Sequence, residues 1–152
     1  MRQVGWREWA ALPDLGVRRL RAKFDTGARA CALHAHRIEF VQSKEGEQIR
    51  FKLQPKSKWR LAPLVCHRRI KDTSGRVTER PVIVTTIVVG GKSFKAEVCL
   101  IDRSAMRHRL ILGRAEISGR FLIDASQTFL HPLTNKATQP PPTPKMTVNY
   151  HS

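Results

Sequence analysis

The 152-residue sequence predicts an all-β domain, a small closed barrel with one short helix. Three observations point there. Val82 to Val89 is an almost unbroken β-branched run, which reads as a strand buried on both faces. Ile49, Phe51 and Leu53 alternate with Arg50 and Lys52, the period-two pattern of a half-buried strand. Turn signals recur at short spacing along the chain, as a small barrel requires.

In chain order, Gly5-Trp6-Arg7-Glu8-Trp9 with Ala10 to Leu12 reads as a first strand and turn, with the breakers Pro13-Asp14 and Gly16. Val17 to Phe24 alternates loosely and delivers Asp25 from a second strand. Leu33 to Val41 is a third, with Ile38 and Phe40 on one face, and Lys44-Glu45-Gly46-Glu47 turns it back into the strand carrying Ile49. Leu64 to Ile70 and Val77 to Ile83 flank Asp72, Ser74 and Gly75, a strong hairpin signal. Gly90-Gly91 returns the β-branched run as Ser93 to Leu100. Leu110-Ile111-Leu112 is a short apolar strand, and Arg114 to Ser118 is the expected helix. Phe121 to Ile123 and Thr128 to Leu130 close a domain set at residues 1–135. Residues 136–152 include Gln139-Pro140-Pro141-Pro142-Thr143-Pro144, which lacks backbone donors and reads as an extended tail outside the core.

The length suits one domain with a real core. Lys and Arg total 28 against 12 Asp and Glu, a formal charge of +16 that calls for an acidic partner. The cations fall in separate runs, at Arg18 to Lys23, Lys56 to Arg60, His67 to Lys71 and Arg103 to Arg109. No nucleic-acid reading motif accompanies them, so the charge implies electrostatic attraction rather than sequence reading. Three cysteines, Cys31, Cys66 and Cys99, are too few and odd for a disulfide framework, and Cys31 and Cys99 sit in apolar surroundings expected to be core. No signal peptide or transmembrane segment is visible, so the expected setting is the cytoplasm, with no membrane partner.

Chemistry is carried by Lys23-Phe24-Asp25-Thr26-Gly27-Ala28. An aspartic protease needs an Asp at the end of a strand, on a tight loop where Gly lets the backbone approach and a Thr hydroxyl can brace a second copy. A strand-ending turn explains the same residues, since Asp and Gly both favour turns. Leu110-Ile111-Leu112-Gly113-Arg114 supplies the apolar-apolar-Gly element that follows the Asp-Thr-Gly loop in retroviral-type aspartic proteases. There Gly is needed because the chain passes close beneath the loop.

These runs, with Gly5 to Trp9, Ala32 to Ala35, Leu100 to Arg103, Gly119 to Asp124 and Phe129-Leu130, resemble the family named ATP-dependent zinc proteases, also called RimB-like or RimK-associated retropepsin-like peptidases. The likeness covers roughly residues 4–133. Arg29-Ala30-Cys31 and Ala125 depart from it, where small polar residues and Pro are usual. It implies a retropepsin-like barrel in which Asp25, Thr26 and Gly27 are catalytic. Only one Asp-Thr-Gly is present, so it implies a homodimer contributing Asp25 twice. Asp102 and Asp124 each end an apolar run, but neither is followed by Thr-Gly, and both read as strand-ending residues. Chain order makes residues 64–80 the candidate flap, with a plain surface hairpin as the alternative. Ala28, Arg68, Arg69, Gly75, Arg76 and Gly113 form the expected substrate-binding set, and Lys71 adds charge favouring acidic peptides. The likeness further implies a glutamate-rich substrate and association with an ATP-grasp ligase acting on a ribosomal protein.

The zinc and ATP of the family name find no motif. There is no His-Glu-x-x-His, Cys-x-x-Cys or Gly-x-x-x-x-Gly-Lys, and His34 and His36 read as an ordinary histidine pair rather than metal ligands. No cofactor is expected. Two other functions stay open: a catalytically weak basic module docking on ribosome, RNA or a partner ligase, and a zinc metallopeptidase.

Overall fold

The computed structural model of the chain describes residues 1–71, 74–102 and 107–133. They form ten strands and one helical turn: β1 (Arg2–Leu12), β2 (Val17–Phe24), β3 (Cys31–Ser43), β4 (Gly46–Lys52), β5 (Arg60–Pro63), β6 (Cys66–Lys71), β7 (Val77–Val89), β8 (Lys92–Asp102), β9 (Leu110–Leu112), α1 (Arg114–Ile117) and β10 (Phe121–Thr128). The proline-rich segment 136–152, Asp72 and residues 103–106 of one basic run lie outside the described residues.

Six strands close a ring in the order β1-β2-β9-β3-β8-β7, and β7 returns to β1 through Ala10 opposite Val89 and Ala11 opposite Val88. Closure leaves no open edge within the ring. Its inward residues, among them Leu12, Leu33, Ile83, Ile87, Leu100, Leu110 and Leu112, are fully or almost fully buried. Outside the ring, β10 pairs parallel with the first half of β1, β6 pairs with β7, and β4 joins the far half of β3 to β5.

Each turn follows its sequence cue. A 3-10 turn at Pro13–Leu15 ends on Gly16 at φ 71°, a left-handed conformation that glycine adopts without a Cβ penalty. Gly90 and Gly91, at φ 58° and 76°, set Val89 opposite Lys92 in the β7–β8 hairpin. The β3–β4 turn closes with Ser43 opposite Gly46, and Ile49, Phe51 and Leu53 are buried in the expected alternation.

Two expectations are corrected and a third is refined. The run Val82 to Val89 is not covered on both faces throughout: Val84 is 41% exposed and Thr86 half-exposed, on the stretch of β7 that pairs with β8 past the point, Val82, where its pairing with β6 ends. Phe121 to Ile123 and Thr128 are one strand, not two, since β10 absorbs the register shift between Gly5 and Arg7 of β1. Ile38 and Phe40 do share a face, opposite Phe51 and Ile49, yet Phe40 extends past the core, is 57% exposed and tilts against His67. Just before them Arg37 takes φ 65° and bulges the strand between His36 and Ile38. The strand β5 carries no alternating apolar signal and escaped the sequence reading.

Candidate active site

Strand β2 ends at Phe24, whose partner is Leu112 of β9. The chain then leaves the sheet. Asp25 donates its N–H to the Leu112 carbonyl at 2.9 Å, the Ala28 N–H closes the turn on the Asp25 carbonyl at 3.1 Å, and the Gly27 N–H donates to Asp25 Oδ1 at 2.9 Å. The carboxylate is thus held by its own loop, and Asp25 is half-buried while Thr26 and Gly27 are exposed. A Cβ on Gly27 would lie 3.2 Å from Asp25 Oδ1, so glycine keeps that approach open.

The strand β9 and the start of α1 clamp the far side of the loop. The Arg114 N–H donates to the Ala28 carbonyl at 2.8 Å, and the Ala115 N–H to the Arg29 carbonyl at 3.0 Å. The Arg114 guanidinium donates through Nη1 to the Thr26 carbonyl at 2.9 Å. Gly113 is buried under the loop, and a Cβ there would meet Ala30 backbone atoms at 2.6–2.8 Å. It therefore supports the loop from beneath instead of lining the cleft.

A cleft of about 1010 Å³ opens between this loop and the β6–β7 hairpin. Gly27 and Ala28 line one wall, Arg68, Arg69 and Lys71 the other, with Arg29 and Arg80 adding two cations not foreseen from the sequence. No Asp or Glu is among the described residues of the lining. Arg68 is already engaged. It donates to Glu97 Oε1 at 2.6 Å, and that hydrogen bond holds its pKa above the ordinary guanidinium value. Gly75, at φ 87°, and Arg76 are exposed at the hairpin end and do not reach the cleft wall. Arg80 was findable only through register, since it pairs directly with Arg68 across β6 and β7.

Asp124 and Asp102 do not rebuild the loop. The Asp124 Oδ1 accepts the Ser126 hydroxyl at 2.6 Å and the Ser126 N–H at 3.0 Å, which holds its pKa below the ordinary carboxylate range. Asp102 ends β8 beside Ala35. His34 is buried at 5% exposure in the cleft wall, whereas His36 is half-exposed outside it. Among the described residues no three of His, Cys, Asp and Glu gather as metal ligands would. Burial raises the Cys31 thiol to about 11 and raises Cys99 as well, while Cys66 is exposed. No described helix is long and apolar enough to cross a membrane.

One buried carboxylate had no sequence signal. Glu8, fully buried in β1, accepts the Gly5 and Leu130 N–H groups on Oε2 and the His131 N–H on Oε1, at 2.8–3.0 Å. It anchors the chain leaving β10 to the strand beside β2.

The family model described as RimB-like, retropepsin-like aspartic endopeptidase RimB, matches residues 3–134. A Shewanella halifaxensis protein named probable alpha-L-glutamate ligase is 36% identical over 133 residues, covering 83% of this chain and 29% of that protein. A Parasynechococcus marenigrum protein of the same name is 36% identical over 127 residues, covering 80% of this chain and 27% of that protein. The chain thus spans under a third of the length of these curated relatives. The crystal structure of Legionella pneumophila protein Lpg0085, of unknown function, superposes with a TM-score of 0.69 at 29% identity, covering 85% of this chain and 97% of that one.

Proposed function

This chain belongs to the RimB-like family of retropepsin-like aspartic endopeptidases, and from that premise we propose that it is one subunit of a homodimeric peptidase acting on acidic peptides. The observation that carries the reading is the Asp25-Thr26-Gly27 turn, clamped by β9 and α1 beside a cleft whose charged side chains are all cationic.

One chain holds one such turn, so the second carboxylate comes from a second copy across a two-fold axis. Two carboxylates brought to about 3 Å share one proton, as aspartic proteases in general do. The ionised member takes a proton from the attacking water. The protonated member donates to the scissile carbonyl oxygen as the tetrahedral centre forms. Thr26 braces the two loops, Gly27 keeps its backbone near the shared water, and Ala28 shapes the adjoining wall.

The β6–β7 hairpin serves as the flap, with Gly75 and Arg76 near its tip. Arg69 and Lys71, joined by Arg29 and Arg80, meet acidic side chains of the substrate, while Arg68 organises the wall through Glu97. The glutamate ligase names of the relatives support a glutamate-rich substrate and a ligase as working partner, and the proposed setting is the cytoplasm.

The test is cleavage of a glutamate-rich peptide panel by the wild type and by Asp25→Asn, with and without chelator. Cleavage that survives chelator and vanishes in the variant supports the dyad. Equal cleavage by both proteins, or loss on chelation, rejects it.

A further inference from the structure

The second large cleft of the molecule lies away from the Asp25 loop and holds about 820 Å³. Three separated basic runs of the sequence converge there. Strand β2 supplies Arg19 and Arg21, the segment before and into β5 supplies Lys58 and Arg60, and the approach to β9 supplies Arg107 and Arg109. Arg18 stands beside them, and none of the described lining residues is Asp or Glu. Arg18, Arg19, Arg21, Lys58, Arg60 and Arg107 take no part in the ion pairs found among the described residues, which join Arg37 and Arg50 to Glu39, Arg68 to Glu97, and Arg120 to Glu116. So many like charges in one concavity raise the local potential and attract anions. Burial adds to this. It pushes the Arg60 guanidinium pKa down, so a bound anion would offset part of that desolvation.

The shape and the rings indicate which anion. The volume exceeds what one small ion fills, and Arg19 and Arg21, two residues apart on one strand, stand about 6.6 Å apart along it. A chain with repeating negative charge suits that spacing. Phe129, Trp9 and Arg19 form a three-layer stack: the two rings lie 4.7 Å apart at 25°, and the Arg19 guanidinium sits 4.2 Å over Trp9. The outer plane of that guanidinium can take a nucleobase. Trp59, next to Lys58 and Arg60 in sequence, is likewise half-buried under Arg50 at 4.2 Å and Lys52 at 5.0 Å. A carboxylate chain gains nothing from a stack and is repelled by ring faces, whereas a nucleic acid uses both cation and stack.

We propose that this cleft binds a single-stranded nucleic acid, its phosphates on the arginine and lysine side chains and a base on the Trp9–Arg19 stack. The site is independent of the peptidase reading, because its residues are separate from those of the Asp25 cleft.

The test is fluorescence anisotropy of a dye-labelled twelve-nucleotide oligouridine with the full chain across a salt series. Five to seven phosphate contacts give a log–log salt slope of roughly −3 to −5. The exposed-side-chain triple variant Arg21→Gln, Lys58→Gln, Arg107→Gln should flatten that slope by about 2 and weaken binding about 100-fold at 0.1 M salt. A triple variant of equal charge change in the other cleft, Arg69→Gln, Lys71→Gln, Arg80→Gln, should stay within about threefold of wild type. Arg19→Lys keeps the charge and loses the flat stack, so binding should weaken about tenfold with the slope unchanged. The proposal is overturned if wild type fails to bind the oligonucleotide, if both triple variants lose affinity equally, or if polyglutamate of equal charge displaces it as well as unlabelled oligouridine does.

Discussion

Replacing Gly113 by alanine perturbs the support of the Asp25 loop at one atom. The new Cβ would lie 2.6 Å from the Ala30 carbonyl oxygen and 2.8 Å from its carbonyl carbon and amide nitrogen. Ordinary contact begins near 3.4 Å, and the three neighbours are main-chain atoms with no rotamer to escape into. The two backbones must therefore separate by roughly 0.6–0.8 Å. Gly113 has φ −95°, which any residue adopts, so the cost is steric alone. Overpacking of this kind costs about 1–3 kcal/mol, or roughly 3–12 °C in Tm for a domain of this size. Ala30 follows the Asp-Thr-Gly turn, and the Ala28 and Arg29 carbonyls between them accept the Arg114 and Ala115 N–H groups just after Gly113, so the same shift misplaces the carboxylate. Errors near 1 Å cost about 100-fold in rate. Ile49→Val is the matched control, since it removes one buried methylene in β4 and costs about 1 kcal/mol without touching the loop. Urea unfolding and peptide cleavage per folded molecule read the two effects. Both variants should unfold earlier, and only Gly113→Ala should lose turnover, by about 10–100-fold. A Gly113→Ala protein within about 0.5 kcal/mol of wild type, or equal turnover losses in both variants, refutes the reasoning.

Four other outcomes follow from named residues. Arg114→Ala removes the donor to the Thr26 carbonyl and should cost about 1 kcal/mol in urea unfolding, with a several-fold loss of turnover. Glu8→Gln places an amide NH₂ where a buried oxygen accepts backbone N–H groups; it should cost about 2–3 kcal/mol and speed amide exchange at Leu130 and His131. Cys31, raised from 9.0 to about 11 by burial, stays protonated in the fold while the unfolded chain ionises. Its contribution is therefore complete below pH 9 and is lost as pH rises from about 9 to 11, a loss of about 2–3 kcal/mol that Cys31→Ala should abolish. At pH 8 a thiol reagent should label Cys66 alone in the native protein, and all three cysteines only after denaturation.

The features legible in the sequence are those that local chemistry dictates. The alternation of Ile49, Phe51 and Leu53 puts one face inward whatever surrounds it, and Gly90-Gly91 permits one tight turn. The loop was legible for the same reason, since Asp25, Thr26 and Gly27 are contiguous and Gly113 follows its own apolar strand. Features that depend on contacts across the chain were not. Glu8 meets Leu130 and His131, which lie 122 and 123 residues away. Arg80 reaches the cleft through its register with Arg68, and Arg37 takes a left-handed φ with no glycine to announce it. The charge was visible as separate runs, and only the pairing of β2 with β9 and the packing around β5 bring three of them into one cavity.

Subunit mixing tests the shared dyad most directly. Wild type and Asp25→Asn are unfolded together, refolded in varying ratio and assayed on a glutamate-rich peptide. If each site needs Asp25 from both chains, only wild-type pairs work, and at an equal mixture activity per wild-type chain falls to about half. If a single chain carries the whole site, activity per wild-type chain stays constant at every ratio, and the two-fold shared-carboxylate mechanism is wrong.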